Sequence, residues 1–496
     1  MIQTSSRVLA AADPQAALYN FVGGEWVAAS AAEKIVVENP ATGVPIAAVP
    51  DSNRDDVDAC VAAALDAFSR WRKVPAVDRA QHLFRFKHLL EEEFEEIARI
   101  VTLEHGKTLA ESRGEVRRAI ENVDVAVGVP TMMQGRNLED VARGIDEYAV
   151  RQPLGVFAAI APFNFPAMVP FWFVPYAIAT GNSFIVKPSE QTPLSQVFLA
   201  ELADRAGLPG GVLSILHGGR RTGEALLEHP DVQGISFVGS TPVARSVYQS
   251  GTANGKRVQA QGGAKNYIVL MPDAEMEPSL DNILESAYGC AGQRCLAGSV
   301  VVAVGDAYEV ARRRLTEKAE ALVVGDGFED ETGMGPVISA KSRARILEYI
   351  DAGVREGAEL LVDGRGQAVA GRDGGHFLGP TLMAGVNPDM VVANDEIFGP
   401  VLCLMPAGDL DEAIEVIDRV PFGNMACIFT GSGKVARQFS SEVRAGNIGV
   451  NIGVAAPMAF FHFGGMKDSF FGDLHAQAED SIRFFTEDKI VVSRWF

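Results

Sequence analysis

The spacing of apolar positions changes once along this chain, and the change separates two kinds of structure. Before Val150, apolar residues recur every three or four positions, which predicts helices over residues 55–71, 77–105 and 109–127. After Val150, short apolar runs alternate with helical stretches. The predicted strands cover residues 155–161, 183–187, 212–217 and 235–239, and the helices between them cover 166–180, 195–206, 222–228 and 242–250. This alternation predicts a parallel sheet wound by helical crossovers, with ligands at the carboxyl ends of the strands.

A second alternating set follows further along the chain. Its predicted strands cover residues 267–271, 300–304, 401–406, 425–430 and 446–451, and its helices include 308–322 and 340–356. We therefore predict an α/β protein with two doubly wound parallel-sheet domains and a cleft between them. Residues 144–152 and 490–496 alternate as edge strands do, and such strands commonly pair between subunits.

Composition narrows the class of protein. The 496 residues carry a formal net charge of −20, which repels nucleic acid and anionic membranes. The five cysteines show neither a disulfide framework nor zinc-ligand spacing, which is typical of a reducing compartment. Residues 152–184 carry no charge, but prolines interrupt them, so we expect a buried strand–helix–strand unit rather than a membrane span. Arg7 and the short apolar run after it are too little for a signal peptide, and we expect a cytoplasmic protein without a bound metal.

Cys295 is the leading candidate for chemistry. It ends the segment Gly292-Gln293-Arg294-Cys295, after a turn of small residues whose backbone N–H groups can face the sulfur. A neighbouring guanidinium can favour the thiolate, which is the form that attacks a carbonyl carbon. The alternative is a buried structural cysteine.

Three other segments hold polar groups at the ends of predicted strands. Residues 239–241 join a strand to a helix, where N–H groups suit a phosphate, although an ordinary strand–helix turn has the same pattern. Lys187 and Glu190 could clasp a ribose diol or form an exposed salt-bridged loop. Asn164 could stabilise an oxyanion through its amide, or it could bond its own backbone.

In this order and at these separations, Asn164, Lys187, Gly239, Cys295 and the Glu-Ile-Phe-Gly-Pro segment at 396–400 resemble the aldehyde dehydrogenase superfamily across essentially the whole chain. The resemblance implies that Cys295 is the nucleophile and that the Asn164 amide and the Cys295 N–H form the oxyanion hole. It also implies NAD as the cofactor. The implied NAD contacts are Ala161, Phe163, Lys187, Glu190, Ser240 and Glu396, with Phe398 packed near the nicotinamide.

The same resemblance implies an aldehyde dehydrogenase-like domain organisation. Residues 1–138 and 158–264 would form the NAD-binding domain, and residues 265–466 the catalytic domain. Residues 139–157 and 467–496 would form a small oligomerisation β-arm. We therefore expect a homo-oligomer, either a dimer or a tetramer.

One position departs from the hydrolytic members of the superfamily. Those members carry a glutamate in a Glu-Leu-Gly-Gly-Lys segment, and its carboxylate activates the water that releases the acyl group. Aligning Gly263-Ala264-Lys265 on Gly-Gly-Lys places Gln261 at the glutamate position. An amide cannot accept the proton of water, whereas thiol chemistry needs less help from a base. This departure favours CoA as the acyl acceptor.

Residues 258–266, the Gly-Gln-Arg-Cys segment and residues 467–475 are similar to the CoA-acylating, NAD-dependent methylmalonate-semialdehyde dehydrogenases. The similarity implies that malonate or methylmalonate semialdehyde is the substrate. Arg118 and Arg294 match positions that hold the substrate carboxylate in that branch, a task that suits a planar guanidinium. For Arg118 the alternative is a solvated helix face shared with the other arginines of its helix.

Two departures and two rival functions limit the substrate prediction. Gln191 stands where this branch usually has arginine, and residues 453–465, expected to line the substrate pocket, differ from the branch's proline-rich version.

One rival is a hydrolytic aldehyde dehydrogenase that uses another base, such as Glu396 or a water chain. The other is a protein of the same fold that binds NAD without turnover.

Overall fold

A computed structural model describes residues 17–496. In chain order its strands are β1 (Asn20–Val22), β2 (Glu25–Val27), β3 (Lys34–Asn39), β4 (Val44–Pro50), β5 (Asn137–Ala142), β6 (Ile145–Pro153), β7 (Val156–Ile160), β8 (Ser183–Lys187), β9 (Leu213–Ile215), β10 (Val232–Val238), β11 (Arg257–Gln261), β12 (Asn266–Leu270), β13 (Gly298–Val304), β14 (Glu359–Val362), β15 (Thr381–Ala384), β16 (Val401–Ala407), β17 (Phe422–Gly423), β18 (Met425–Phe429), β19 (Asn447–Val450), β20 (Met466–Lys467), β21 (Phe470–Phe471) and β22 (Thr486–Arg494). The expectation about a signal peptide rests on residues 1–16 and lies outside the described residues.

The α-helices are α1 (Arg54–Trp71), α2 (Ala76–Glu92), α3 (Phe94–His105), α4 (Leu109–Ala126), α5 (Val129–Met132), α6 (Met168–Phe171), α7 (Val174–Thr180), α8 (Leu194–Arg205), α9 (Arg220–Glu228), α10 (Thr241–Ala253), α11 (Met276–Tyr288), α12 (Ala307–Glu320), α13 (Ala340–Arg355), α14 (Val391–Asn394), α15 (Leu410–Arg419), α16 (Gly433–Glu442) and α17 (Ala478–Phe485). A 3₁₀ turn, Gly289–Gly292, follows α11 directly.

Two large sheets organise the molecule. The first has eight strands in the order β2-β1-β9-β8-β7-β10-β11-β21, and the second has seven in the order β14-β15-β16-β13-β12-β18-β19. The central strands of both sheets pair in parallel, whereas β1, β2, β14 and β21 pair antiparallel at the edges. The central strands are continuous apolar runs because helices cover both faces of a parallel sheet. The predicted α/β class with two wound, mostly parallel sheets is confirmed.

The register of the first sheet brings three strand ends together. Ile160 at the end of β7 lies beside Lys187 at the end of β8 and beside Phe237 of β10. The segments that follow these strands therefore leave the sheet along one edge. Residues 161–167 and the start of α10 belong to this edge, which is where α/β sheets bind their ligands.

Two predicted helices are interrupted in the structure. The helix predicted over 77–105 is divided into α2 and α3 because Glu93, with φ −97° and ψ 16°, leaves the helical region. The helix predicted over 166–180 is divided into α6 and α7, and Pro175 stands at the start of α7. Proline lacks the N–H that a continuous helix would need at this second break. The prediction of one continuous helix over 77–105 and another over 166–180 is therefore wrong at these two points.

A separate three-stranded sheet has the order β22-β6-β5. Its strands β6 and β22 pair antiparallel along their whole length, from Ile145 opposite Arg494 to Pro153 opposite Thr486. The two predicted edge strands therefore pair with each other within the chain. The second begins at Thr486 rather than at residue 490, because its pairing with β6 extends to Pro153.

Among residues 17–496, no helix is both long and apolar enough to cross a bilayer. The uncharged residues 152–184 contain β7, α6, α7 and β8. The same described part of the chain holds no cluster of three histidine, cysteine, aspartate or glutamate side chains arranged to bind a metal ion.

Candidate active site

Cys295 follows a turn with an unusual backbone. Cys290, Ala291 and Gly292 have φ values of 53°, 52° and 69°, so three successive residues adopt the left-handed conformation. A Cβ on Gly292 would lie 2.1 Å from the carbonyl oxygen of Gly399, which only glycine avoids. Beyond the turn, the Cys295 carbonyl oxygen accepts hydrogen bonds of 2.8 Å from both Asn266 and Asn424. The backbone that carries the sulfur is therefore fixed from two sides.

The surroundings of the Cys295 sulfur favour the protonated thiol over the thiolate. Burial of the sulfur raises the pKa of Cys295 to about 12, and the Glu396 carboxylate adds to the rise. The Arg294 guanidinium and the N–H groups of Cys295 and Leu296 act in the opposite direction, but burial outweighs them. The sequence predicted that a neighbouring guanidinium favours the thiolate, and Arg294 does act in that direction. The prediction missed burial, which favours the thiol and has the larger effect.

We expect the alkylation rate of Cys295 by iodoacetamide, without NAD, to rise about tenfold per pH unit up to at least about pH 10, since the thiolate fraction does so below the thiol pKa. The site of alkylation is followed by peptide mass spectrometry. The other four cysteines are buried, and Cys295→Ala reports any labelling of them. A rate that levels off near pH 8 would contradict the raised pKa.

A cavity of 420 Å³ opens in front of the Cys295 sulfur. Its walls come from α4, residues 165–172, residues 290–296 and the loop 454–463. Arg118 and Arg294 both line this cavity together with Cys295. Residues 453–465 are predicted to line the substrate pocket, and the members of that segment that line this cavity are Val454, Ala456, Pro457, Ala459 and Phe463.

Arg294 is held inside the cavity wall. Its Nη2 lies 3.6 Å from the Cys290 sulfur, and its Nε is buried without a hydrogen-bond acceptor among the described residues. A Cβ on Gly289 would lie 2.4 Å from Arg294 Nη2, so the glycine leaves room for the guanidinium. A buried N–H group without an acceptor is costly, and an anionic ligand in the cavity would remove that cost.

Arg118 differs from its neighbours on α4. Arg113 and Arg117 form exposed ion pairs with Glu95 and Glu91 at 2.9 and 2.8 Å. Arg118 instead donates from Nη2 to the Ala456 carbonyl oxygen at 3.1 Å and also pairs with Glu121 at 3.0 Å. It therefore connects α4 to the loop 454–463 and does not belong to a solvated helix face.

Asn164 reaches the nucleophile segment from the first sheet. Its side chain is buried, and its Nδ2 donates to the Gln293 carbonyl oxygen at 3.0 Å. Gln293 is itself fixed, because its Oε1 accepts from the Ile338 N–H at 3.0 Å. An amide nitrogen carries two N–H groups, so one remains for a second acceptor beside Cys295.

The predicted nucleotide-binding residues at the sheet edge keep exposed polar groups at Glu190 and Ser240. Burial lowers the pKa of Lys187, whose Nζ donates to the Pro188 and Gly218 carbonyl oxygens and lies 3.6 Å from Glu190. The Glu190 carboxylate is 41% exposed. Ser240 precedes α10 and is exposed, and its hydroxyl makes no capping bond to the helix. The Ala161 N–H bonds the Lys187 carbonyl oxygen, which keeps the two segments side by side.

The second group of predicted nucleotide contacts lies on the segment before β16. Glu396 Oε1 accepts from the Ala264 N–H at 2.9 Å, and burial raises the pKa of this carboxyl to about 7. A Cβ on Gly263 would lie 2.5 Å from Glu396 Oε2, so a larger residue there would displace the carboxylate. Phe398 has a φ of 55°, and its ring meets the Phe163 ring edge-on at 5.9 Å.

Gln261 lies at the end of β11 and is buried. Its Nε2 donates to the Phe463 carbonyl oxygen at 3.3 Å, and its Oε1 has no hydrogen-bond donor within residues 17–496. Phe463 belongs to the cavity wall, so this amide supports the pocket. The Gln191 backbone N–H bonds the Ser189 hydroxyl, at the position where an arginine was expected.

Sequence reasoning missed a set of charged residues around this site. Glu111 accepts from the Cys290 N–H at 2.6 Å, and Lys107 pairs with Glu115 at 2.7 Å beneath the Asn164 segment. These contacts join residues far apart in the chain. No local motif could have indicated them.

Residues 26–491 match the model of the aldehyde dehydrogenase family. The chain is 51% identical over 477 residues to malonate-semialdehyde dehydrogenase 2 of Geobacillus thermodenitrificans, which covers 96% of this chain and 99% of that protein. Two solved structures are similar over 97% of this chain and 98% of theirs. One, from Sinorhizobium meliloti in complex with NAD, is assigned as a methylmalonate-semialdehyde dehydrogenase and has a TM-score of 0.96 at 40% identity. The other is the methylmalonate-semialdehyde dehydrogenase of Oceanimonas doudoroffii, with a TM-score of 0.95 at 41% identity.

Proposed function

The chain belongs to the aldehyde dehydrogenase family, and from this premise we propose that it oxidises malonate or methylmalonate semialdehyde with NAD and passes the acyl group to CoA. The observation that carries the proposal is the single cavity that Cys295, Arg118 and Arg294 share. A nucleophile and two guanidinium groups around one space suit a substrate with an aldehyde at one end and a carboxylate at the other.

In the first step, the Cys295 thiol releases its proton to water, and the resulting thiolate attacks the aldehyde carbon and forms a thiohemiacetal. The aldehyde oxygen becomes an oxyanion, which accepts hydrogen bonds from the free N–H of the Asn164 amide and from the Cys295 backbone N–H. Donors fixed in place before the reaction stabilise this charge more than mobile water does. Oxidation of the thiohemiacetal leaves an acyl group bound to the sulfur as a thioester.

The residues along the first sheet edge fit NAD. Lys187 and Glu190 would hold a ribose, Ser240 and the start of α10 a phosphate, and Ala161 would contribute backbone contacts. Glu396 would contact the nicotinamide ribose, with Phe163 and Phe398 beside the ring. When bound there, NAD supplies the hydride acceptor for the oxidation.

The identity of residue 261 supports CoA as the acyl acceptor. The buried Gln261 amide already donates to Phe463 and has no basic group with which to activate water. A CoA thiolate attacks the thioester carbonyl without a strong base, and the Cys295 sulfur leaves as the thiolate. From malonate or methylmalonate semialdehyde, loss of the carboxylate as CO₂ gives acetyl-CoA or propionyl-CoA, because the thioester accepts the electron pair.

One observation favours the hydrolytic rival. Glu396 is a carboxyl group whose pKa is raised to about 7, so it can exchange a proton near neutrality. It lies close enough to Cys295 to raise the pKa of that thiol. The rival therefore assigns Glu396 as the base for water, and it predicts turnover without CoA.

We also propose the domain division that the family resemblance implied, with the three-stranded sheet as the oligomerisation arm. On that sheet Tyr148, Val150, Ile490 and Val492 are exposed apolar residues at alternate positions of two paired strands. Directly opposed residues of an antiparallel pair share a face, and Val150 lies opposite Lys489 whereas Ile490 lies opposite Ala149. Tyr148 and Val150 therefore lie on one face of the sheet and Ile490 and Val492 on the other, and each face offers exposed apolar positions to a partner subunit.

Replacing Arg118 with leucine is expected to raise the KM for malonate semialdehyde roughly ten- to hundredfold, since a charged hydrogen bond contributes about 1.5–3 kcal/mol. The KM for propanal, which has no carboxylate, should change little. Steady-state NADH formation with both aldehydes measures the ratio. Arg117→Leu removes the next guanidinium on the same helix, which points to Glu91, and should leave the ratio unchanged. An equal rise in KM for both aldehydes would assign Arg118 to support of the loop alone.

The substrate proposal is tested with a panel of aldehydes in the presence of NAD and CoA. We expect the highest kcat/KM with the carboxylated semialdehydes, and acetyl-CoA or propionyl-CoA as the product by mass spectrometry. A preference for uncharged aldehydes of similar length would overturn this substrate class while leaving the family assignment intact.

A further inference from the structure

A buried ion pair lies beneath the segment that carries Asn164. Lys107 and Glu115 are both fully buried, and the Lys107 Nζ lies 2.7 Å from Glu115 Oε2. Lys107 precedes α4, and Glu115 lies within it. Two charges removed from water carry a large desolvation cost, which is offset only when further hydrogen bonds satisfy them. The partners of this pair therefore indicate what it holds in place.

The other side-chain hydrogen bonds of the two charges fall on one short stretch of chain. Lys107 Nζ donates to the Asn164 carbonyl oxygen at 2.6 Å and lies 3.9 Å from the centre of the Phe165 ring. Glu115 Oε1 accepts from the Ala167 and Met168 N–H groups at 2.8 and 3.1 Å. The pair thus fixes residues 164–168 at both ends.

This stretch needs such support because it is irregular. Residues 161–167 follow β7 and precede α6, and they belong to neither a strand nor a helix. The orientation of the backbone at Asn164 sets the direction of its side chain, whose amide reaches the Gln293 carbonyl oxygen beside the nucleophile. A hydrogen bond to the Asn164 carbonyl oxygen restrains that same peptide unit.

We infer that the Lys107–Glu115 pair positions the Asn164 amide as the oxyanion donor. The inference rests on the proposed roles of Asn164 and Cys295. Neither charge contacts the reacting atoms, so both are positioning residues. Their removal should slow reactions that build an oxyanion at the Cys295 site and spare reactions that do not.

Two reagents for the same sulfur separate these cases. With p-nitrophenyl acetate, the sulfur–carbon bond forms through a tetrahedral oxyanion, and p-nitrophenolate leaves when the carbon–oxygen bond breaks. With iodoacetamide, the sulfur displaces iodide directly and no oxyanion forms. Neither reaction uses NAD, CoA or a semialdehyde, so a failure of the proposed substrate leaves this comparison intact.

The test variant is Lys107→Met with Glu115→Leu, which removes both charges together and leaves no single buried charge behind. We expect the p-nitrophenolate burst to slow between roughly tenfold and a hundredfold, with the alkylation rate within about twofold of the wild type. The matched control, Arg113→Met with Glu95→Leu, removes an exposed ion pair of the same helix region and should change neither rate.

A second comparison shows whether the pair acts through Asn164. Asn164→Ala alone should slow the burst about a hundredfold or more. In the doubly substituted protein its effect should be smaller by the factor that the double substitution itself costs, so that the triple variant is no slower than Asn164→Ala alone, because coupled residues are not additive. An unchanged burst, an equal fall in both reactions, or a full Asn164→Ala effect in both backgrounds would overturn the inference. Should the double variant melt below the assay temperature, Lys107→Gln with Glu115→Gln is measured in the same way with the same expected and contradicting results, since it keeps the volume and removes both charges together.

Discussion

Replacing Cys295 with alanine is expected to abolish NADH formation from malonate semialdehyde, with a fall in rate of more than about 10⁴-fold. Without the sulfur no thiohemiacetal forms. Hydride transfer would then have to start from the free aldehyde hydrate, which is not covalently held or activated by the enzyme. Cofactor binding should persist, because the predicted NAD contacts lie along the edge of the first sheet and on the segment before β16. The measurements are NADH absorbance for turnover and fluorescence titration for NAD affinity.

Cys290→Ala is the matched control for this experiment. Cys290 lines the same cavity, but its sulfur faces Arg294, and its pKa is raised by burial. We expect this variant to keep NADH formation within about tenfold of the wild type. Activity that survives Cys295→Ala would contradict the covalent mechanism, and inactive wild-type protein that binds NAD would support the non-catalytic rival.

The second large effect is expected at Asn164. Asn164→Ala should lower the rate of hydride transfer by about 10²- to 10³-fold, which is the effect of removing one donor from an oxyanion hole. Asn164→Asp keeps the size of the side chain but replaces the N–H₂ with an oxygen that faces the Gln293 carbonyl oxygen. It should therefore be at least as slow as the alanine variant.

Rapid mixing of enzyme with NAD and substrate, followed by NADH absorbance in a single turnover, measures this step directly. Iodoacetamide labelling reports whether the Cys295 sulfur remains accessible in each variant. If Asn164→Asp retained wild-type hydride transfer, the amide N–H would not be the oxyanion donor. If Asn164→Ala changed only the KM, the side chain would act in substrate binding instead.

The wound sheets could be predicted from the sequence because strands buried on both faces are continuous apolar runs. The interruption at Glu93 could not, since apolar spacing continues across the break between α2 and α3. Strands β1 to β4 were also not predicted: β1 and β2 have three residues each and β3 has one buried position, so among these four only β4 carries a run of four buried residues. Periodicity detects long elements with one buried face and misses short ones.

In the candidate site, too, neighbouring residues could be predicted from the sequence, whereas contacts between distant residues could not. Cys295 and Arg294 could be identified because they are neighbours in a recognisable segment. The contact between Arg118 and Ala456 spans 338 positions, and that between Lys107 and Asn164 spans 57. Such contacts depend on how α4 packs against the two sheets. The direction of the Cys295 pKa was missed for the same reason, since burial and Glu396 act through the folded structure.

The central claim is that the acyl group on Cys295 is released by CoA and not by water. The most direct test is to mix the enzyme with NAD and malonate semialdehyde, first without CoA and then with it, and to count NADH per active site. We predict a burst of about one NADH per Cys295 that then stops, because the Gln261 amide cannot act as the base that activates water. Added CoA should restart turnover and give one acyl-CoA for each NADH. Sustained NADH formation without CoA, at the rate seen with it, would contradict the account and favour hydrolysis with Glu396 as the base.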